Sequence, residues 1–136
     1  MSDRVFLDTN IIIYLYSEDE DDKREAVYRF VNKNCCITSI QTFNEASNVW
    51  LKKYNWEKDK IIKYLDGIEA VCDEILLIQK KTINEALSIR DRYDYSYYDC
   101  LVLSSALESN CKIILTEDMN DGQLIYNRLE IINPFK

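Results

Sequence analysis

The chain has 136 residues, 47% of them hydrophobic, with two Gly and one Pro, which suits a single domain spanning 1–136 and excludes a disordered or linker-rich polypeptide. A formal net charge of −7 argues against a protein that coats nucleic acid by charge alone, but not against one that meets phosphate through divalent ions. The absence of His removes Ser-His and Cys-His nucleophile pairs, and five Cys without a C-x-x-C pattern read as free thiols rather than zinc ligands.

No stretch approaches the ~18 apolar residues of a membrane span. The opening "MSDRVFLD" lacks the basic start, apolar middle and cleavage site of a secretory signal. The expectation is a cytoplasmic protein without a membrane partner.

Strand and helix signals alternate along the chain. Arg4 to Leu7 is a short apolar strand ending in Asp8. Ile11 to Tyr16 opens a helix after Thr9 and Asn10, and the acidic run Glu18 to Asp22 precedes a helix from Lys23 to Asn34, whose N-terminal dipole it complements. "CCITS" is a second strand, and Ser39 is a plausible N-cap for a helix from Ile40 to Tyr54. A helix from Glu57 to Ile68 closes near Gly67, "EILLI" is a third strand, and Thr82-x-x-Glu85 reads as a capping box for a helix ending near Tyr93. From Ser96 to about Ser109 runs a helix apolar nearly all round, hence buried. "KIILT" and "LEIIN" are the fourth and fifth strands. Strands separated by helices imply parallel crossovers. The expected fold is therefore α/β, a three-layer α/β/α sandwich around a mainly parallel sheet of about five strands.

Such sheets open their sites outside the carboxyl ends of the strands. Asp8 follows the first strand there, and Glu117 and Asp118 follow the fourth. Each acid also has a plainer reading. Asp8 and Asp118 serve equally as helix caps or turn acids, and Asp121, in an Asp-Gly pair, reads as a turn residue. Asp99 is either the last member of a Ser96-x-x-Asp99 capping box or an acid among apolar neighbours that needs a cation or several donors. Periodicity puts Glu45 on the polar side of its helix with Gln41, Asn48 and Lys52. The cluster Tyr93, Tyr95, Tyr97 and Tyr98 reads as packing before base stacking. Taken jointly, the topology brings Asp8 and Asp118 to one rim, and a helix starting there adds Asp99. Carboxylates that close cannot all stay ionised without a counter-charge, and Mg2+ or Mn2+ is the hard, oxygen-seeking ion that would supply one.

Four segments, "FLDTNIIIYL", "SIQTFNEASNV", "YSYYDCLVLSSALESNC" and "ILTEDMNDGQLI…INPF", carry a resemblance covering nearly the whole chain. In order and spacing the sequence resembles the PIN-domain nucleases, in particular the VapC-type toxins of prokaryotic toxin–antitoxin pairs. The resemblance implies a PIN-like sandwich and a metal-dependent endoribonuclease. It places the family's four acids on Asp8, Glu45, Asp99 and Asp118, with Asp121 as a candidate outer ligand. Thr9, Asn10 and Thr116 would orient the carboxylates. It further implies one or two Mg2+ or Mn2+ ions, an RNA substrate, a cognate antitoxin that covers the site, and often a homodimer. The competing reading is a non-catalytic PIN-like module that binds RNA or protein. A phosphoacceptor receiver domain fits poorly, because "ILLIQKK" has no acid after the third strand.

Overall fold

The computed structural model describes residues 3–136. Among them are β1 (Arg4–Leu7), α1 (Thr9–Leu15), α2 (Asp21–Lys33), β2 (Cys35–Ser39), α3 (Ile40–Lys52) and α4 (Lys58–Val71). The second half holds β3 (Glu74–Leu76), α5 (Lys80–Arg92), α6 (Tyr97–Glu108), β4 (Ile113–Leu115), β5 (Leu124–Ile125) and β6 (Leu129–Ile132).

The strands form one sheet in the order β3-β2-β1-β4-β6-β5. Every pairing is parallel except that of β5 with β6. From β1 the chain winds outward to β2 and β3, then crosses back to lay β4 on the other side of β1. The crevice outside the carboxyl ends of β1 and β4 is thus the switch point at which sheets of this type open a ligand site.

Period-two alternation in the strands divides the core into two layers. Val5, Leu7, Cys36 and Leu115 face one side, where they pack with Ile11, Ile12, Val27, Phe43, Ala46, Trp50, Ile61 and Ile68 of α1–α4. Phe6, Ile37, Ile114 and Ile131 face the other, against α5 and α6. In α6 every residue from Cys100 to Leu107 is buried, as a helix apolar all round requires. The sandwich and its mainly parallel sheet match the sequence expectation.

The differences are local. Among the described residues there are six strands rather than five, because β5 pairs antiparallel at the edge through Leu124↔Glu130 and Ile125↔Leu129. The helix expected to close at Gly67 continues to Val71. A Cβ at Gly67 would lie 2.9 Å from the Tyr16 hydroxyl oxygen, so a larger residue there would require that side chain to shift. Thr82 does not start α5. It occupies the third helical position, and its hydroxyl accepts the Gln79 N–H at 3.2 Å, so the helix begins two residues earlier. The Cys residues are all free. No helix among the described residues is long and apolar enough to cross a membrane.

Candidate active site

The site begins where β1 runs out. After three fully buried residues, Val5 to Leu7, the chain turns at Asp8, itself only 5% exposed. The Asp8 backbone N–H donates to the Leu115 carbonyl at 3.1 Å, extending the β1–β4 ladder by one residue. Its side chain then caps α1, with Oδ1 accepting the Thr9 N–H at 2.7 Å. The capping role read from sequence is real, but it uses one oxygen. The other, Oδ2, accepts the hydroxyl of Thr116 at 2.7 Å.

Thr116 is buried and follows β4, the neighbour of β1. Its Oγ1 also accepts the Asp118 N–H at 3.2 Å. Asn10 closes this arm: its amide nitrogen donates to Asp118 Oδ2 at 2.9 Å, and its carbonyl oxygen accepts the Glu117 N–H at 3.2 Å. On the α3 side, Thr9 donates its hydroxyl to Glu45 Oε2 at 2.6 Å, and Gln41 donates to Glu45 Oε1 at 3.3 Å. Glu45 is therefore held and partly covered, although periodicity had put it on a solvated face. Asp99 enters from the opposite layer, in the first turn of α6. There the Ser96 hydroxyl accepts the Asp99 N–H at 3.2 Å, which is half of the expected capping box.

These parts surround one pocket of ≈ 370 Å³. Asp8, Glu45, Asp99 and Asp118 all line it, with Thr9, Asn10, Ile13, Asn48 and Val49. Asn48 was read from sequence only as a polar neighbour of Glu45, one turn along the same helix. Asp121 lies elsewhere: its carboxylate accepts the Asn133 N–H at 2.7 Å and ties the turn before β5 to the chain after β6. The tyrosines divide. Tyr93 and Tyr95 are packed with the α5–α6 core, their hydroxyls accepting the N–H groups of Tyr126 and Asn120, whereas Tyr98 is 59% exposed.

Electrostatics in the pocket run against ionisation. Burial raises the Asp8 carboxyl to about 7; the Thr116 and Thr9 donors oppose the rise, and the charges of Asp99 and Glu45 add to it. Asp99 is raised as well, by burial first, with Asp118 and Glu45 adding to it against the Ser96 hydrogen bond. The donors available are carboxylates, hydroxyls and amide oxygens, a hard set with no imidazole, which fits Mg2+ or Mn2+ and not a soft metal. As they stand, no three acidic or thiol side chains among the described residues are grouped tightly enough to hold an ion. A bound cation would relieve the like-charge repulsion that adds to the rise of the Asp8 and Asp99 carboxyls.

Comparison with known proteins identifies the family and the fold. The PIN domain family model matches residues 5–120. No curated protein matches the chain. Among solved structures, a toxin–antitoxin complex from Klebsiella pneumoniae superposes with a TM-score of 0.69 at 21% identity, covering 96% of this chain and 97% of that one. FitAcB from Neisseria gonorrhoeae gives 0.70 at 17% identity, covering 96% and 98%. Mycobacterium tuberculosis VapC20, a toxin that cleaves the sarcin-ricin loop, gives 0.65 at 14% identity, covering 81% and 86%. At these identities the likeness is one of fold.

Proposed function

This chain belongs to the PIN domain family, and from that premise we propose that it is a divalent-metal-dependent endoribonuclease, the toxin of a toxin–antitoxin pair. The observation that carries the reading is the convergence of Asp8, Glu45, Asp99 and Asp118, from four separate segments, on one pocket at the β1–β4 switch point.

Asp8, Asp99 and Asp118 would hold one or two Mg2+ or Mn2+ ions, with Glu45 binding through water or steering the nucleophile. The bound metal would supply a water of lowered pKa and neutralise charge developing on a phosphodiester. The chain's own groups do the rest. Thr9 and Thr116 fix both oxygens of Asp8, so that carboxylate presents its remaining lone pairs in one direction. Asn10 fixes Asp118, which is exposed and has little packing to hold it. Thr9 sets the rotamer of Glu45. Asp121, tied to the Asn133 backbone, is a turn anchor in this reading and not a ligand.

An antitoxin partner is part of the proposal. The Klebsiella neighbour is a toxin–antitoxin complex. On this chain, Asp19 and Glu20 are exposed in a groove that shares Asn10, Ile13 and Val49 with the pocket, where they would repel a polyanion and favour a basic protein segment. The same groove favours the second reading, a PIN-like module that binds a protein without cutting RNA.

Purified protein incubated with structured and single-stranded RNA decides between them. The nuclease reading expects cleavage with Mg2+ or Mn2+, none in EDTA, and none by the Asp99→Asn variant. RNA left intact by folded, metal-loaded protein would leave only the binding module.

A further inference from the structure

Glu117 stands beside Asp118 yet points away from the pocket. Its Oε2 accepts from the Lys23 ammonium at 2.6 Å and its Oε1 from the Tyr14 hydroxyl at 2.7 Å. Lys23 also donates to the Tyr14 oxygen at 3.1 Å, which closes a three-membered ring of hydrogen bonds. Phe135 backs the ring: the Lys23 nitrogen lies 5.1 Å from its centroid, and the Tyr14 and Phe135 rings meet edge-on at 5.2 Å. One carboxylate thus joins α1, α2 and the segment after β4.

We propose that Glu117 is a positioning residue, strapped by Tyr14 and Lys23, that holds the exposed Asp118 arm in place at the mouth of the pocket. The need for a strap follows from the surroundings. Asp118 is exposed, and its own ties are the Asn10 amide and the Thr116 hydroxyl. Asn10 is itself registered against this arm through the Glu117 N–H. Releasing the Glu117 side chain frees the backbone on which both bonds depend. A charge-assisted bond and a hydroxyl bond on the two oxygens of one carboxylate fix its direction as well as its place. The strap also ties the first turn of α2 to the Asp118 arm.

The inference rests on Asp118 being a ligand, and its test separates the two. Amide hydrogen exchange is measured on metal-free protein for wild type, Tyr14→Phe, Glu117→Ala and the charge swap Lys23→Glu with Glu117→Lys. Relative to wild type, exchange at residues 117 and 118 is expected to rise about 5-fold or more in Tyr14→Phe and Glu117→Ala, while Ile114 in β4 stays within about twofold. The swap, which rebuilds the ion pair in reverse, restores protection. In parallel, Mn2+ affinity falls about 10-fold in Glu117→Ala and less in Tyr14→Phe. Unchanged protection at 117 and 118, or a loss spread equally over Ile114, overturns the inference. So does wild-type Mn2+ affinity in both variants. Tyr14→Phe removes a single hydroxyl and keeps the test open if Glu117→Ala does not fold. Should wild type bind no Mn2+, the metal reading falls, and the exchange result alone decides this inference.

Discussion

Thr116 donates its hydroxyl to Asp8 at 2.7 Å across two neighbouring parallel strands, and the same oxygen accepts the Asp118 N–H at 3.2 Å. One buried side chain therefore aligns acids separated by 110 positions of sequence, Asp8 and Asp118. Replacing it by Val keeps the shape and removes both bonds. Thr116→Val is expected to destabilise the protein by about 1–3 kcal/mol at pH 8, read by urea denaturation, because a buried carboxylate loses a donor. It should also weaken Mn2+ binding by about 10–100-fold, the range for outer-shell partners. A variant as stable as wild type would show that Asp8 needs no help from β4.

The raised Asp8 carboxyl sets a pH dependence whose direction follows from linkage. Its value moves from the ordinary 3.8 to about 7 on folding, so between these the native state holds the proton and the unfolded state does not. Below pH ~3.8 both states hold the proton, and stability with respect to this group is at its highest and independent of pH. Stability then falls as pH rises through the window, and above pH ~7 the loss is complete, on the order of 4 kcal/mol at most. Asp99, also raised, acts in the same direction. Urea unfolding in EDTA at pH 5, 6, 7 and 8 should show this decline in wild type and a flatter profile in Asp8→Asn. A wild-type profile that rises from pH 5 to 8 would contradict the assignment.

Thr9 offers a narrower test. Its hydroxyl holds Glu45 at 2.6 Å, while its backbone N–H, unaffected by substitution, binds Asp8. Thr9→Val should lower kcat for RNA cleavage about 10-fold with Mn2+ affinity nearly unchanged, because Glu45 is read as acting through water and not as a direct ligand. A loss confined to Mn2+ affinity would make Glu45 a direct ligand instead.

Much of the fold was legible because its strands are apolar runs closed by polar residues. "CCITS" coincides with β2, and the ends of β1 and β4 sufficed to bring Asp8 and Asp118 to one rim. Asp99 followed from an acid in a helix otherwise apolar all round. What stayed hidden has physical reasons. β5 is two residues long, too short for any period, and its hairpin turns through Tyr126 at φ 52° and Asn127 at φ 55°, with no Gly to announce it. α5 starts at a Gln cap, outside the usual Ser, Thr, Asp and Asn set. Glu45 misled periodicity because the polar lining of a pocket and a solvated face produce the same pattern. The Tyr14–Lys23–Glu117 ring joins residues 94 and 103 positions apart and leaves no local trace.

The central claim is that carboxylates from separate segments share a divalent ion, and calorimetric titration with Mn2+ at pH 7.5 tests it most directly. Wild type is expected to bind one or two ions, and Asp8→Asn, Asp99→Asn and Asp118→Asn should each weaken the tightest by about 10-fold or more while remaining folded by circular dichroism. Wild-type protein that binds no Mn2+, or wild-type affinity retained in all three variants, would contradict the account.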